Sequence, residues 1–186
     1  ERETAARTQA EFLVESLALV SPEKKGAYIS AFGARNSSRI RLYDRDGSKM
    51  FDSFELGKPA YVFRDPNREP WRKVAARGID KVVDFLVGAP ELQPFVEPKV
   101  DTGKAWSELA RAKPGKASSV ARFAPDLTHM ISAGAVAPSG SYSVLTTANE
   151  RDIRLFVRAE RFKIGMFFLL ALGIGVLLSI FLARTI

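Results

Sequence analysis

The chain has 186 residues, a formal charge of +7 from 28 Lys and Arg against 21 Asp and Glu, and no cysteine. The missing thiols exclude disulfides, thiolate metal sites and a cysteine nucleophile. Its basic residues alternate with acids, as in Arg45-Asp46, Asp80-Lys81 and Arg158-Ala159-Glu160-Arg161, and form no stripe with interleaved aromatics, which argues against nucleic-acid binding.

Residues 1–20 place Ala6, Ala10, Leu13, Leu17 and Val20 at 4-3-4-3 spacing, a heptad seam with Arg, Gln and Glu on the other face. The seam is short for an isolated coiled coil. It suits a helix that continues from an upstream segment or docks on a neighbour, and it is the expected dimer seam. Ser21-Pro22 breaks this helix and starts another over 22–34, closed near Gly33. Ser38 to Ser53 predicts a hairpin: Ile40 and Leu42 alternate with Arg39, Arg41 and Tyr43, Asp46-Gly47 turns the chain, and Met50-Phe51 resume a strand.

Residues 54–69 read as loop and 70–87 as a helix with Trp71, Val74, Val82, Phe85 and Leu86 on one side. From 89 to 117 four prolines predict a long irregular excursion with one short helix over 106–112. Strands are expected at 120–123, 129–137 and 141–147. Asn149 is the expected cap of a helix over 150–163 that runs without a breaker into twenty uncharged residues, Ile164 to Ala183. Twenty residues at about 1.5 Å each span roughly the 30 Å hydrocarbon core of a bilayer. Within that segment Ala171, Gly175, Ser179 and Ala183 recur every four residues and would let a neighbouring helix approach closely.

No Ser-His-Asp set, phosphate-binding glycine loop or metal-ligand spacing is present, so no catalytic group, cofactor or metal is expected in this chain. The single histidine, His129, is a candidate proton sensor because imidazole titrates between pH 5 and 8, against the commoner reading of a structural strand histidine. Asp44, Asp46 and Asp52 crowd one hairpin and could answer to acid or bind a cation, since neighbouring carboxylates raise one another's pKa. Turn chemistry already explains Asp46, and Arg41 and Arg45 stand near enough to neutralise the others. Trp71 reads as core. Trp106 is left open between core and partner surface.

Two segments, RIRLYDRDGSKMFDS (39–53) and LTTANERDIRLFVRAERFKI running on into LLSIFLARTI (145–186), carry a resemblance. The chain is similar there to the extracytoplasmic region and second membrane span of ChvG-type sensor histidine kinases of alphaproteobacteria. Asp152-Ile153-Arg154 stands where that family usually shows Asp-Ile-Asp, and 54–117 has no counterpart. The resemblance implies an α+β fold: a PAS-like periplasmic domain with an antiparallel sheet, flanked by long N- and C-terminal helices and followed by one transmembrane helix. Residues 1–20 would be a dimer helix after a first span, 21–149 the sensor, 150–163 a signalling helix, 164–183 the second span and 184–186 the start of a HAMP linker. It implies a homodimer in the bacterial inner membrane with residues 1–163 periplasmic. Arg158, Arg161 and Lys163 before the span would by themselves favour the opposite orientation. A periplasmic regulatory protein and a cytoplasmic response regulator are the implied partners. ATP and Mg would serve kinase domains beyond this chain, and acid or envelope stress is the implied stimulus. The competing readings are the ligand-binding region of a chemoreceptor and a tail-anchored binding protein.

Overall fold

In the computed structural model the described residues are 1–63, 92–126, 128–149, 167 and 172–175. The chain divides into two units, Glu1–Asn149 and Glu150–Ile186.

The first unit begins with helix α1, Arg2–Ala18. A 3₁₀ turn, Pro22–Lys24, opens behind extended Ser21 with proline in its first position, where a missing N–H has no consequence. Helix α2, Lys25–Arg35, continues it. The chain then enters β1 (Ser38–Asp44) and β2 (Lys49–Asp52), and Asp52 caps a single helical turn, α3 (Ser53–Leu56), by accepting from the Phe54 amide at 3.0 Å. A 3₁₀ turn, Gly103–Ala105, and helix α4, Ser107–Arg111, precede β3 (Ser118–Phe123), β4 (His129–Val136) and β5 (Tyr142–Asn149). All pairings in the five-stranded sheet are antiparallel, in the order β2-β1-β5-β4-β3. The fold is α+β, as expected.

The sheet is covered on both faces, and the alternation of each strand sorts residues between them. On one face Ile40, Leu42, Ala133, Ala135 and Val144 meet Leu13, Val14 and Leu17 of α1 and Ile29 of α2. The Tyr142 hydroxyl ties the layers together by donating to the Val14 carbonyl at 2.7 Å. On the other face Tyr43, Met130 and Leu145 lie under Phe95, Trp106 and Leu109. Each fully buried aliphatic side chain stabilises by about 1.5–3 kcal/mol.

Several expectations change here. Ala10, Leu13 and Leu17 of the predicted dimer seam are fully buried in this chain's own core, and Ala6 packs partly against it. The stripe is spent on the sheet, so it cannot serve as a seam between subunits, and Val20 lies past the helix end. Gly33 does not close α2, which runs two residues further. It permits a close crossing instead, because a Cβ there would sit 2.7 Å from the Ser38 carbonyl oxygen. The hairpin ends one residue early, where Asp52 turns from strand to cap. Its loop is secured by Gly47 at φ +91° and by the Ser48 amide donating to Asp44 Oδ1 at 2.8 Å. The predicted short helix over 106–112 is α4, and the three C-terminal strands stand within two residues of expectation.

The predicted helices 70–87 and 150–163, with Trp71, lie outside the described residues. So do the predicted span 164–183, apart from Phe167 and 172–175, and the packing-face residues Ala171, Ser179 and Ala183. Phe167 and 172–175 are helical and exposed, and a Cβ added at Gly175 would meet nothing within 4 Å. Among the described residues no helix is long and apolar enough to cross a membrane.

Candidate functional site

The densest polar constellation lies where the β1–β2 hairpin meets the excursion that leads to β3. Strand alternation sends Arg39, Arg41 and Tyr43 to the face away from α1, which in a one-sided sheet would be solvent. Here the segment from Phe95 to Arg111 covers that face, so Arg41 is 1% and Tyr43 0% exposed. A charged side chain so placed needs partners, since an unpaired buried ion is very costly.

The partners come from both ends of the excursion. Arg39 binds Asp52 in a fork, Nε at 3.1 Å from both carboxylate oxygens and Nη2 at 2.7 Å from Oδ2. Arg39 Nη1 and Arg41 Nη2 each donate to the same oxygen, Glu97 Oε1, at 2.6 Å. Arg41 Nε lies 3.6 Å from Asp52 and 3.4 Å from Asp101. Asp101 Oδ1 also accepts from the Tyr43 hydroxyl at 2.6 Å and from Trp106 Nε1 at 2.9 Å. Lys49 reaches Glu55 at 2.5 Å and stands 3.6 Å from Asp101. The Trp106 ring lies against the Arg41 guanidinium, 4.8 Å from its centroid, and stacks on Phe95 at 5.9 Å. Arg41 Nη1 is buried without a hydrogen-bond acceptor among the described residues, and this π face is its compensation.

Electrostatics follow from this geometry. Burial raises the Asp52 pKa, but the Arg39 bonds, the Phe54 amide and the charges of Arg39 and Arg41 outweigh it, so the net shift is downward. Asp101 behaves alike: burial raises it, and Tyr43, Trp106, Arg41 and Lys49 bring it below the ordinary carboxylate range. Tyr43 is pushed up by burial and by its bond to Asp101, and Tyr61 by burial. A second polar knot sits on the same sheet face. Glu108, fully buried on α4, accepts from both terminal guanidinium nitrogens of Arg122, while Arg122 Nη1 also donates to Ser132 Oγ at 3.0 Å. Burial raises the Glu108 pKa, and Arg122 and Ser132 bring it below its usual value.

Chemically this is a latch. Each carboxylate accepts from a fixed donor or cation, so none is poised as a base, and among the described residues no group of three or more His, Asp and Glu could hold a metal. The structure does not assemble the predicted acidic trio. Asp44 is occupied by its own turn and Asp46 is exposed, whereas Asp52 sits at the far end of β2. Asp52 also shifts in the direction opposite to that expected for crowded carboxylates, because its neighbours are cations. Arg41 neutralises it; Arg45 belongs to no ion pair among the described residues.

His129 begins β4 and meets Phe123 of β3 edge-on at 5.0 Å. Since β2 and β3 are opposite sheet edges, His129 shares no cluster with Asp52. Trp106, left open by the sequence, is a core residue. The latch acids Glu97 and Asp101 escape sequence reasoning, lying over fifty residues from Arg39, Arg41 and Tyr43 in a segment without periodicity. Comparison with protein-family models, curated proteins and solved structures finds no match to this chain.

Proposed function

We propose that the chain is the signal-input region of a membrane-bound two-component sensor histidine kinase, without catalysis of its own. The observation that carries this reading is the role of the hairpin residues on which the resemblance rests. Arg39 and Asp52 form the bidentate core of the latch, and Ser53 Oγ accepts from the Ile40 amide at 2.9 Å. Turn formation alone requires neither of these two contacts across the hairpin.

The PAS-like assignment is supported by a five-stranded antiparallel sheet with an N-terminal helix on one face and the β2–β3 excursion on the other. The central strand β5 leads directly into residues 150–186, whose composition is that of a helix followed by a second span. In this proposal the first unit is periplasmic, the protein is a homodimer in the bacterial inner membrane, and a change in the latch is relayed to HAMP and kinase domains. A periplasmic regulatory protein and a cytoplasmic response regulator complete the circuit.

The test is ATP-dependent phosphorylation of the parent protein, extended past Ile186, in membranes, beside its Arg39→Ala variant. Label on histidine in the wild type, with a changed basal level in the variant, is the expected result. A membrane-inserted parent that takes no label refutes the kinase reading and favours the chemoreceptor or binding-protein alternatives.

A further inference from the structure

The hairpin turn does more than reverse the chain. Gly47 and Gly103 meet backbone to backbone: the Gly103 amide donates to the Gly47 carbonyl at 2.8 Å, and a Cβ at Gly103 would lie 3.4 Å from Gly47 Cα. This contact fixes the turn against the excursion and leaves a cleft of ≈ 230 Å³ between them, α4 and the ends of β4 and β5.

The lining has two chemical parts. Leu109 and Val136 make an apolar floor, with exposed Ala110 at its rim. Arg45 and Lys104 also line it, and neither belongs to an ion pair among the described residues. Their freedom contrasts with Arg39, Arg41, Lys49 and Arg122, each matched to a carboxylate. Asp44 also lines the cleft; its Oδ1 accepts from the Ser48 amide, and its single negative charge stands beside the two cations. Ser143 offers a hydroxyl with no hydrogen-bond partner among the described residues. Unmatched cations beside an apolar floor in an open cleft suit an anionic head on a short hydrocarbon body.

We propose that this cleft binds a small carboxylate with a short aliphatic body, its head held by Arg45 and Lys104 and its chain on Leu109, Ala110 and Val136. Binding is a property of this chain alone, so its failure leaves the signalling reading standing, and failure of that reading leaves the cleft untouched.

The test titrates valerate into the full 186-residue chain and follows the amide resonances of Gly47, Gly103 and Ser143 by NMR. Pentan-1-ol, which lacks the charge, and inorganic phosphate, which lacks the body, are run at equal ionic strength. Saturable shifts with valerate, unmatched by either control, are expected. Arg45→Gln and Lys104→Gln, both exposed and outside the cores, should each weaken binding about tenfold or more, as for loss of one charge-assisted hydrogen bond. Ala110→Glu, placing a carboxylate on the exposed rim, should abolish it with the circular dichroism spectrum unchanged. The proposal is overturned by an absence of saturable shifts up to ~50 mM valerate, where even a very weak site would fill. Equal binding of phosphate or pentanol, or shifts that persist in the Arg45→Gln/Lys104→Gln double variant, would overturn it too.

Discussion

Asp52→Ala is the most informative single change. Asp52 is wholly buried and accepts three hydrogen bonds from Arg39 and one from the Phe54 amide, with Arg41 Nε at 3.6 Å. Removing one partner of a buried ion pair costs about 3–5 kcal/mol, mostly by stranding the remaining charge. Arg41, at 1% exposure, has little room to turn to water, but Glu97 is half-exposed and still receives both arginines, which draws the figure to the lower end. The lost α3 cap adds about 1 kcal/mol. A total of about 4 kcal/mol, with a urea slope of about 2 kcal/mol/M, lowers the midpoint by roughly 2 M. Urea titration of the full chain, followed by far-UV circular dichroism, measures this. Arg39→Ala/Asp52→Ala should lose less than the sum of its single variants. A loss below about 1 kcal/mol for Asp52→Ala would refute the buried-latch reasoning, since that is the scale of an exposed pair.

Leu13→Ala should cost about 2–5 kcal/mol in the same titration while leaving the oligomeric state, measured by light scattering, unchanged, because Leu13 faces this chain's own sheet. Gly134→Ala should destabilise by about 1–3 kcal/mol, since its Cβ would stand 2.8 Å from Leu109 Cδ2 and 2.9 Å from the Leu109 amide nitrogen on α4. Gly140→Ala, with open space but φ +66°, should show only the smaller backbone penalty of about 1 kcal/mol. Asp52, Asp101 and Glu108 all have folded pKa values below their ordinary ones, so the folded state binds fewer protons than the unfolded chain. Their stabilisation is fully present above an unfolded pKa of about 4 and drains as pH falls through the lowered values. Urea midpoints should owe these three groups no slope between pH 7 and 5 and then fall toward pH 3.

What could be read in advance was local. The hairpin, α2 and the last three strands follow from alternation, Asp-Gly and Ser-Pro signals that act within a few residues. What could not be read depended on distant chain. The alternation of Arg39, Arg41 and Tyr43 with Ile40 and Leu42 is indistinguishable from a half-solvated strand until the excursion arrives to cover it. The heptad spacing of α1 fits a partner helix and a sheet equally, and burial of Leu13 and Leu17 selects the sheet. Gly33 carries the residue type of a helix stop, yet the nearby Ser38 carbonyl makes it a crossing point. Glu97 and Asp101 sit among prolines where no period exists to mark them, and only their separation in space from Arg41 gives them meaning.

The position of β5 has a consequence under load. Its neighbours are β1 and β4, and seven register pairs join it to each. A force drawing residue 149 along the strand axis would stress both ladders in shear, all fourteen pairs at once. An edge strand such as β2, with three pairs on one side, can instead be peeled bond by bond. Tension applied at the C-terminal end of the first unit would therefore meet its stiffest element, and the sheet would move as a plate before β5 tore free.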